Sequence, residues 1–148
     1  MENVRLSSLL HDIGKVGVKD DVLLKTSKLS LSEKKEIYRH PSIGARIVEA
    51  IAGSRNIIRG IMEHHERYGG GGYPNGLKGE GISLEARVTA VADAFDALTT
   101  DRPYQKRYLV KETYDLILKG SPTRFDPKIV KSFVASFKKH PEIWHSSG

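Results

Sequence analysis

The chain has no cysteine, which excludes disulfides, thiolate nucleophiles and cysteine-ligated zinc. Aromatic residues make up only 7% of it, with a single tryptophan, so the core has to be built mainly from aliphatic side chains. No apolar run approaches the roughly 18 residues that span a bilayer, and the opening MENVRLSSLLHDIG has no signal-peptide h-region. These absences point to a soluble protein of the reducing cytoplasm with no membrane contact. No long period-two alternation and no internal repeat are visible, which leaves an all-α protein. Charge is uneven: 24 Lys and Arg against 18 Asp and Glu give a net +6 over 148 residues. That surplus favours anionic partners (nucleotides, nucleic acid or an anionic surface) and by itself selects none of them.

What is present reads mostly at the helical period. A first short stretch carries Val4, Leu6, Leu9 and Leu10 and ends at His11-Asp12. Residues 30 to 39 open with Ser30 and Glu33 in capping-box spacing, where each side chain can satisfy the other's free N–H. After His40-Pro41 a second stretch puts Ile43, Ile47, Val48 and Ile51 on one face, stopped at Gly53-Ser54. Residues 56 to 66 follow, with Ile57, Ile58, Ile61 and Met62 as their stripe. From Ser83, a candidate N-cap, Leu84, Val88, Val91, Phe95 and Leu98 step by four, three, four and three. Val110, Tyr114, Ile117 and Leu118 mark the next helix, stopped by Gly120 and Pro122. The last starts at Asp126-Pro127 and carries Ile129, Val130, Phe133, Val134 and Phe137. The reading is a bundle of five to six helices over residues 1–137, with a basic tail at 138–148 in which Trp144 can dock.

Between the helices, residues 66 to 82 (ERYGGGGYPNGLKGEGI) hold seven of the 14 glycines and form a loop. The run lacks a Gly-Lys-Ser/Thr ending and follows a helix, so it is not a P-loop. Of the six histidines, His140 and His145 lie in the basic tail and read as exposed. The other four have company: His11 with Asp12, His40 with Pro41, and His64 with His65. Neighbouring helical residues point about 100° apart, so two adjacent ligands serve one metal only at a helix end or in a site of two ions. A carboxylate such as Asp12 suits a bridging position, and imidazoles suit terminal ones. Asp93 and Asp96 stand off the buried stripe of their helix, either as a solvated face or as the lining of a metal-filled cleft. Four histidines and one or two aspartates make an N/O donor set that suits iron, manganese or zinc.

These motifs resemble the HD-GYP family, a branch of the HD metal-dependent phosphohydrolases. LHDIGKVGVKDDVLLK is similar to the HD motif and its continuation, HHERYGGGGYPNGLKGEGI to the segment holding the Gly72-Tyr73-Pro74 signature, and VADAFDALTTDRPYQK to the downstream aspartate helix. The order and register also agree, His40 included. The resemblance runs over roughly residues 5–137. It implies an HD-domain helical bundle and a phosphodiesterase that hydrolyses cyclic di-GMP to linear pGpG and, in some members, on to GMP. It further implies two or three divalent ions, iron or manganese, held by His11, Asp12, His40, His64, His65 and Asp93, with Asp12 bridging. By the same resemblance Lys15 meets the scissile phosphate, and Tyr73, Asp96 and Arg102 contact the ligand. Partners implied are cyclic di-GMP, no DNA or RNA polymer, and a sensory or receiver domain in the parent protein.

Three departures stand against this. The family's domain begins some tens of residues before its HD motif, with helices that supply a further histidine and, in trinuclear members, a glutamate. Here ten residues precede His11, so the expectation is an N-terminally truncated domain of low activity, or a homodimer completed by helix exchange. Gly69 stands where the family usually has aspartate, and Gln105 where it usually has a basic residue. The alternative reading is a degenerate module that binds a cyclic dinucleotide or a protein without turnover.

Overall fold

A computed structural model describes residues 1–51, 54–101, 107–140 and 142. The described residues form eight α-helices and two short 3-10 turns, with no strand among them. The helices are α1 (Glu2–Leu10), α2 (Asp20–Leu23), α3 (Leu31–Ile37), α4 (His40–Ile51), α5 (Arg55–Glu63), α6 (Leu84–Thr99), α7 (Val110–Lys119) and α8 (Pro127–Lys139). The 3-10 turns cover Ile13–Gly17 and Gly79–Gly81. The all-α expectation holds, with more elements than the five to six helices expected. The additional ones are short, and α2 is a single turn with one buried side chain, Val22, too brief to show a period.

Local chemistry accounts for the helix starts. Ser30 caps α3 in a complete capping box with Glu33. Ser83 accepts from the Ala86 N–H at the start of α6, and Asp126 accepts from the Lys128 N–H ahead of Pro127 in α8. The last helix runs to Lys139, slightly past the expected boundary at 137.

The helices pack as two layers that share α6. On one side α1, α4 and α5 enclose Ala45, Val48, Ile57 and Ile61, with Leu6, Leu10, Ile13, Ile58 and Met62 around them. Ile61 is fully buried, which contributes about 2 to 3 kcal/mol relative to an exposed position. On the other side α7 and α8 enclose Val91, Ala94, Ile117, Phe125 and Val130. Because α6 is covered from both sides, its buried set (Glu85, Ala86, Thr89, Val91, Ala94 and Thr99) is broader than the single stripe read from the sequence. Leu84 and Ile51, read as apolar-face positions, are exposed, as are Leu9 and Leu118 on their own helices. On α4 the small residues Gly44 and Ala45, with Pro41, take the buried face.

Two polar clasps tie α6 to its neighbours. Buried Glu63, at the end of α5, accepts from Arg59 and from the Ser83 N–H (2.7 Å) just before α6. Buried Asp126 pairs with Arg87 of α6 at 2.6 Å while it caps α8. One close approach sets the site itself. A Cβ on Gly14 would lie 1.9 Å from the His40 carbonyl oxygen and 2.5 Å from the Gly44 nitrogen, so only glycine lets the 3-10 turn rest on the start of α4.

Candidate metal centre

The ends of helices supply the histidines. A helix leaves its last carbonyls without intrahelical partners. His11, directly after α1, places Nδ1 2.7 Å from the Ser8 carbonyl. His40, after α3, places Nδ1 2.7 Å from the Ile37 carbonyl, and His64, after α5, 2.6 Å from the Ile61 carbonyl. A carbonyl only accepts, so each Nδ1 carries the proton and donates it. At His40 and His64 this leaves Nε2 as a lone pair turned into the space between the helix ends, while His11 Nε2 faces the Asp12 and Asp93 carboxylates.

The donor atoms meet there. The Nε2 atoms of His40 and His64 lie 3.3 Å apart, and His40 Nε2 is 3.3 Å from Asp12 Oδ1. His11 Nε2 stands 3.4 Å from Asp12 Oδ2 and 3.6 Å from Asp93 Oδ1. His65 completes a trio with His40 and His64 whose ligand atoms all fall within 4.8 Å of one another. Among the described residues its ring nitrogens have no protein hydrogen bond. It is oriented by stacking on Tyr73, with ring centroids 4.8 Å apart. Lys15 Nζ donates to Asp12 Oδ2, one turn along the 3-10 segment.

This arrangement fits a cation. His40 and His64 are buried, and they face each other and Asp12 with acceptor atoms only. Such a grouping is unfavourable unless positive charge sits within it. Burial is the main cause that lowers His64 to about 4 and His65 to about 3. Both stay neutral, the form that binds metal. Burial also disfavours charge on His11, but its hydrogen bonds to Asp12 and Asp93 outweigh that and push it up to about 10. Burial opposes ionisation of Asp12 and Asp93 as well. It is overcome at Asp12 chiefly by His11, with Lys15 also contributing, and at Asp93 by His11, so both carboxyls are held below their ordinary value. His11 in its protonated form and Lys15 thus supply positive charge that an ion can replace. His40, His64 and His65 form a cluster consistent with a metal site, and its chemistry is that of an N/O-ligated divalent cation.

The remaining predicted residues divide. Tyr73 lines a cavity of about 340 Å³ beside the histidines, together with His64, His65 and Asp93. Asp96 lies in a smaller neighbouring groove between α1 and α6, bordered by Ser8, His11, Thr89 and Asp93. Arg102 and Gln105 lie outside the described residues, as do Gly53, Trp144 and His145. His140 is partly exposed, and its ring meets Glu142 at 3.3 Å.

The same cavity is lined by Tyr38, Glu66, Arg67 and Arg124, which motif reading missed. Tyr38 and Arg124 come from segments outside the three matched motifs. Glu66 and Arg67 stand inside the HHER run but had no role there. Glu66 is buried and accepts the Asn75 N–H at 2.7 Å, which folds the glycine-rich loop back over the histidines. Gly69 has a local reason of its own: it donates to the Thr123 carbonyl at 2.9 Å, and a Cβ there would stand 2.8 Å from that oxygen.

Residues 1–129 match the HD domain family. The chain is 40% identical over 136 residues to the cyclic di-GMP phosphodiesterase response regulator RpfG of Xanthomonas campestris, covering 88% of this chain and 35% of that protein. It is 41% identical over 137 residues to the cyclic di-GMP phosphodiesterase PA4108 of Pseudomonas aeruginosa (92% and 33%). To the 3'3'-cGAMP-specific phosphodiesterase 1 of Vibrio cholerae it is 38% identical over 139 residues (93% and 32%). The chain therefore spans about a third of the length of these relatives. A crystal structure of a cyclic GMP-AMP-specific phosphodiesterase of V. cholerae, V-cGAP3, superposes with a TM-score of 0.70 at 23% identity, covering 95% of this chain and 38% of that one, and shares the fold. The chain belongs to the HD domain family and is homologous over most of its length to the HD-GYP cyclic di-GMP phosphodiesterases.

Proposed function

We propose that this domain is a metal-dependent phosphodiesterase that hydrolyses cyclic di-GMP to linear pGpG. The observation that carries the reading is the convergence of the His40, His64 and His65 ligand atoms, within 4.8 Å of one another, beside Asp12 and Lys15. The names of the relatives support a cyclic dinucleotide as substrate. In this reading His11, Asp12, His40, His64, His65 and Asp93 would hold two divalent ions, iron or manganese. The ions, when bound, activate water at neutral pH and offset charge on phosphoryl oxygens.

The chain's own groups do the rest. The Ser8, Ile37 and Ile61 carbonyls fix the orientation and tautomer of three imidazoles, so little reorganisation is needed when an ion enters. Lys15, tethered by Asp12, is a compact positive charge placed to meet a nonbridging phosphate oxygen as charge builds there. Tyr73 covers His65 and shields that side of the donor cluster from water. Asp96 and Arg102 are assigned to contacts with the ligand, on the strength of the family resemblance.

The test is chromatography of cyclic di-GMP incubated with chain that has been purified anaerobically and loaded with iron or manganese. Linear pGpG is expected, with product lost in Asp12→Ala. Cyclic di-GMP left intact by fully loaded protein overturns the proposal, and binding without turnover returns the domain to the degenerate reading. A parallel incubation with 3'3'-cGAMP reads the second substrate that the V. cholerae relatives suggest.

A further inference from the structure

The cavity beside the histidines has a wall that the metal chemistry leaves unused. Tyr38, at the C-terminal end of α3, stacks on Tyr73 with ring centroids 4.1 Å apart and planes inclined by 16°. Tyr73 in turn stacks on His65. The three rings form a column leading from the donor cluster outward, and its last member, Tyr38, is 47% exposed. One face of Tyr38 is covered by Tyr73, and its exposure leaves the other open to a ligand. Arg67 and Arg124 line the same cavity. Both are exposed, and among the described residues neither forms an ion pair. Arg124 is held over the Phe125 ring at 5.0 Å, and the backbone bonds from Tyr68 and Gly69 to the Arg124 and Thr123 carbonyls fix its loop against the glycine-rich segment.

An open aromatic face within one cavity with two unpaired guanidinium groups is chemistry that recognises a nucleotide. The π-face takes a base, and the planar fork takes a phosphate in bidentate fashion. At about 340 Å³ the cavity lies at the small end of ligand sites. That size matches one nucleotide unit with the remainder of a dinucleotide outside. We infer that Tyr38 and Arg124, with Arg67 beside them, form a subsite in which one purine of the substrate stacks on Tyr38 and its phosphate meets the arginines. The inference rests on the phosphodiesterase reading for the identity of the ligand, and it adds residues that bind the half of the molecule away from the reacting phosphate.

The experiment uses a cyclic dinucleotide with one guanine replaced by 2-aminopurine, whose fluorescence is quenched when the base stacks. Metal-loaded protein and probe are mixed by stopped flow, and the quench that precedes turnover is followed against protein concentration. Unmodified chain should quench the probe. Tyr38→Leu should abolish most of the quench and weaken binding about tenfold, Tyr38→Trp should restore both, and Arg124→Ala should weaken binding about tenfold with the quench amplitude kept. Both positions are exposed, and the near-native far-UV spectrum expected of each variant is checked alongside. Titrations of Tyr38→Leu and Arg124→Ala that coincide with the unmodified chain overturn the subsite. Hydrolysis of cyclic di-GMP by the same preparations is scored separately. Variant-sensitive quenching without hydrolysis keeps the subsite and removes the hydrolase reading. Hydrolysis with variant-insensitive quenching does the reverse.

Discussion

The Nε2 atoms of His40 and His64 face each other at 3.3 Å, and both rings have already committed their Nδ1 protons to backbone carbonyls. Neither ring has a proton to offer the other. The pair therefore calls for a cation, and His64→Asn should show it. That variant removes one nitrogen from the His40–His64–His65 trio, so metal per chain, measured by mass spectrometry after anaerobic loading, should fall, with affinity reduced about 100-fold. Unchanged metal content in a folded variant would place the ion elsewhere.

Lys15 is expected to act on rate more than on metal binding, because its ammonium touches Asp12 from the open side. Lys15→Met should lower kcat for a cyclic dinucleotide by about 10² to 10³ while retaining the bound ions. Steady-state kinetics paired with metal analysis reads both quantities. Loss of the ions in step with the rate would reassign Lys15 to holding Asp12.

In metal-free protein the three perturbed histidines act in opposite directions. His64 and His65, lowered from 6.5 to about 4 and about 3, take protons more readily in the unfolded chain, so stability falls as pH drops below about 6.5. His11, raised to about 10, contributes stability that is fully present below 6.5 and is lost as pH rises through 10. These three groups together give a maximum near pH 6.5. Thermal melts of chelated protein from pH 4 to 10 should show Tm declining on both sides, and loading with metal should flatten the alkaline limb because an ion takes the place of the His11 proton. A Tm that rises steadily from pH 6.5 to 9 contradicts this account.

Gly14→Ala tests the contact beneath the site. With a Cβ placed 1.9 Å from the His40 carbonyl, the 3-10 turn and α4 have to separate. A loss on the order of 3 kcal/mol is expected in denaturant unfolding, together with weaker metal binding as Asp12 and His40 move apart. Gly71→Ala, whose added methyl meets nothing within 4 Å although its φ is +76°, should cost less, about 1 kcal/mol.

The all-α fold could be read from the chain because it rests on periodicity, and the motifs of the family resemblance hold His40, His64 and His65, which the fold brings together. The caps at Ser30, Ser83 and Asp126 stand as expected. Failures occurred where tertiary context decides. Ile51 and Leu84 fit an apolar stripe but face solvent, while the small residues of α4 take the core face. Tyr38 and Arg124 come from segments that no motif joins, and only the folded chain puts them in one cavity. A cue to the histidine geometry was available: His11 and His64 each follow a helix directly, where a carbonyl three residues back is free to accept.

The clustered histidines are fastened to helix ends, whereas Tyr73 sits on a glycine-rich loop tied down by individual hydrogen bonds, among them Tyr73 to the His65 carbonyl, Gly79 to the Tyr68 carbonyl and Asn75 to Glu66. Anchorage of that kind sets two tolerances to substitution within one small domain. The reacting apparatus is locked into packed helices and resists drift. The surface that meets the ligand can exchange residues, lengthen or tilt at little cost to folding. Enzymes named for cyclic di-GMP and for 3'3'-cGAMP are both among the relatives of this chain. A scaffold partitioned in this way would let substitutions in the loop alter what the cavity accepts without disturbing the histidine cluster.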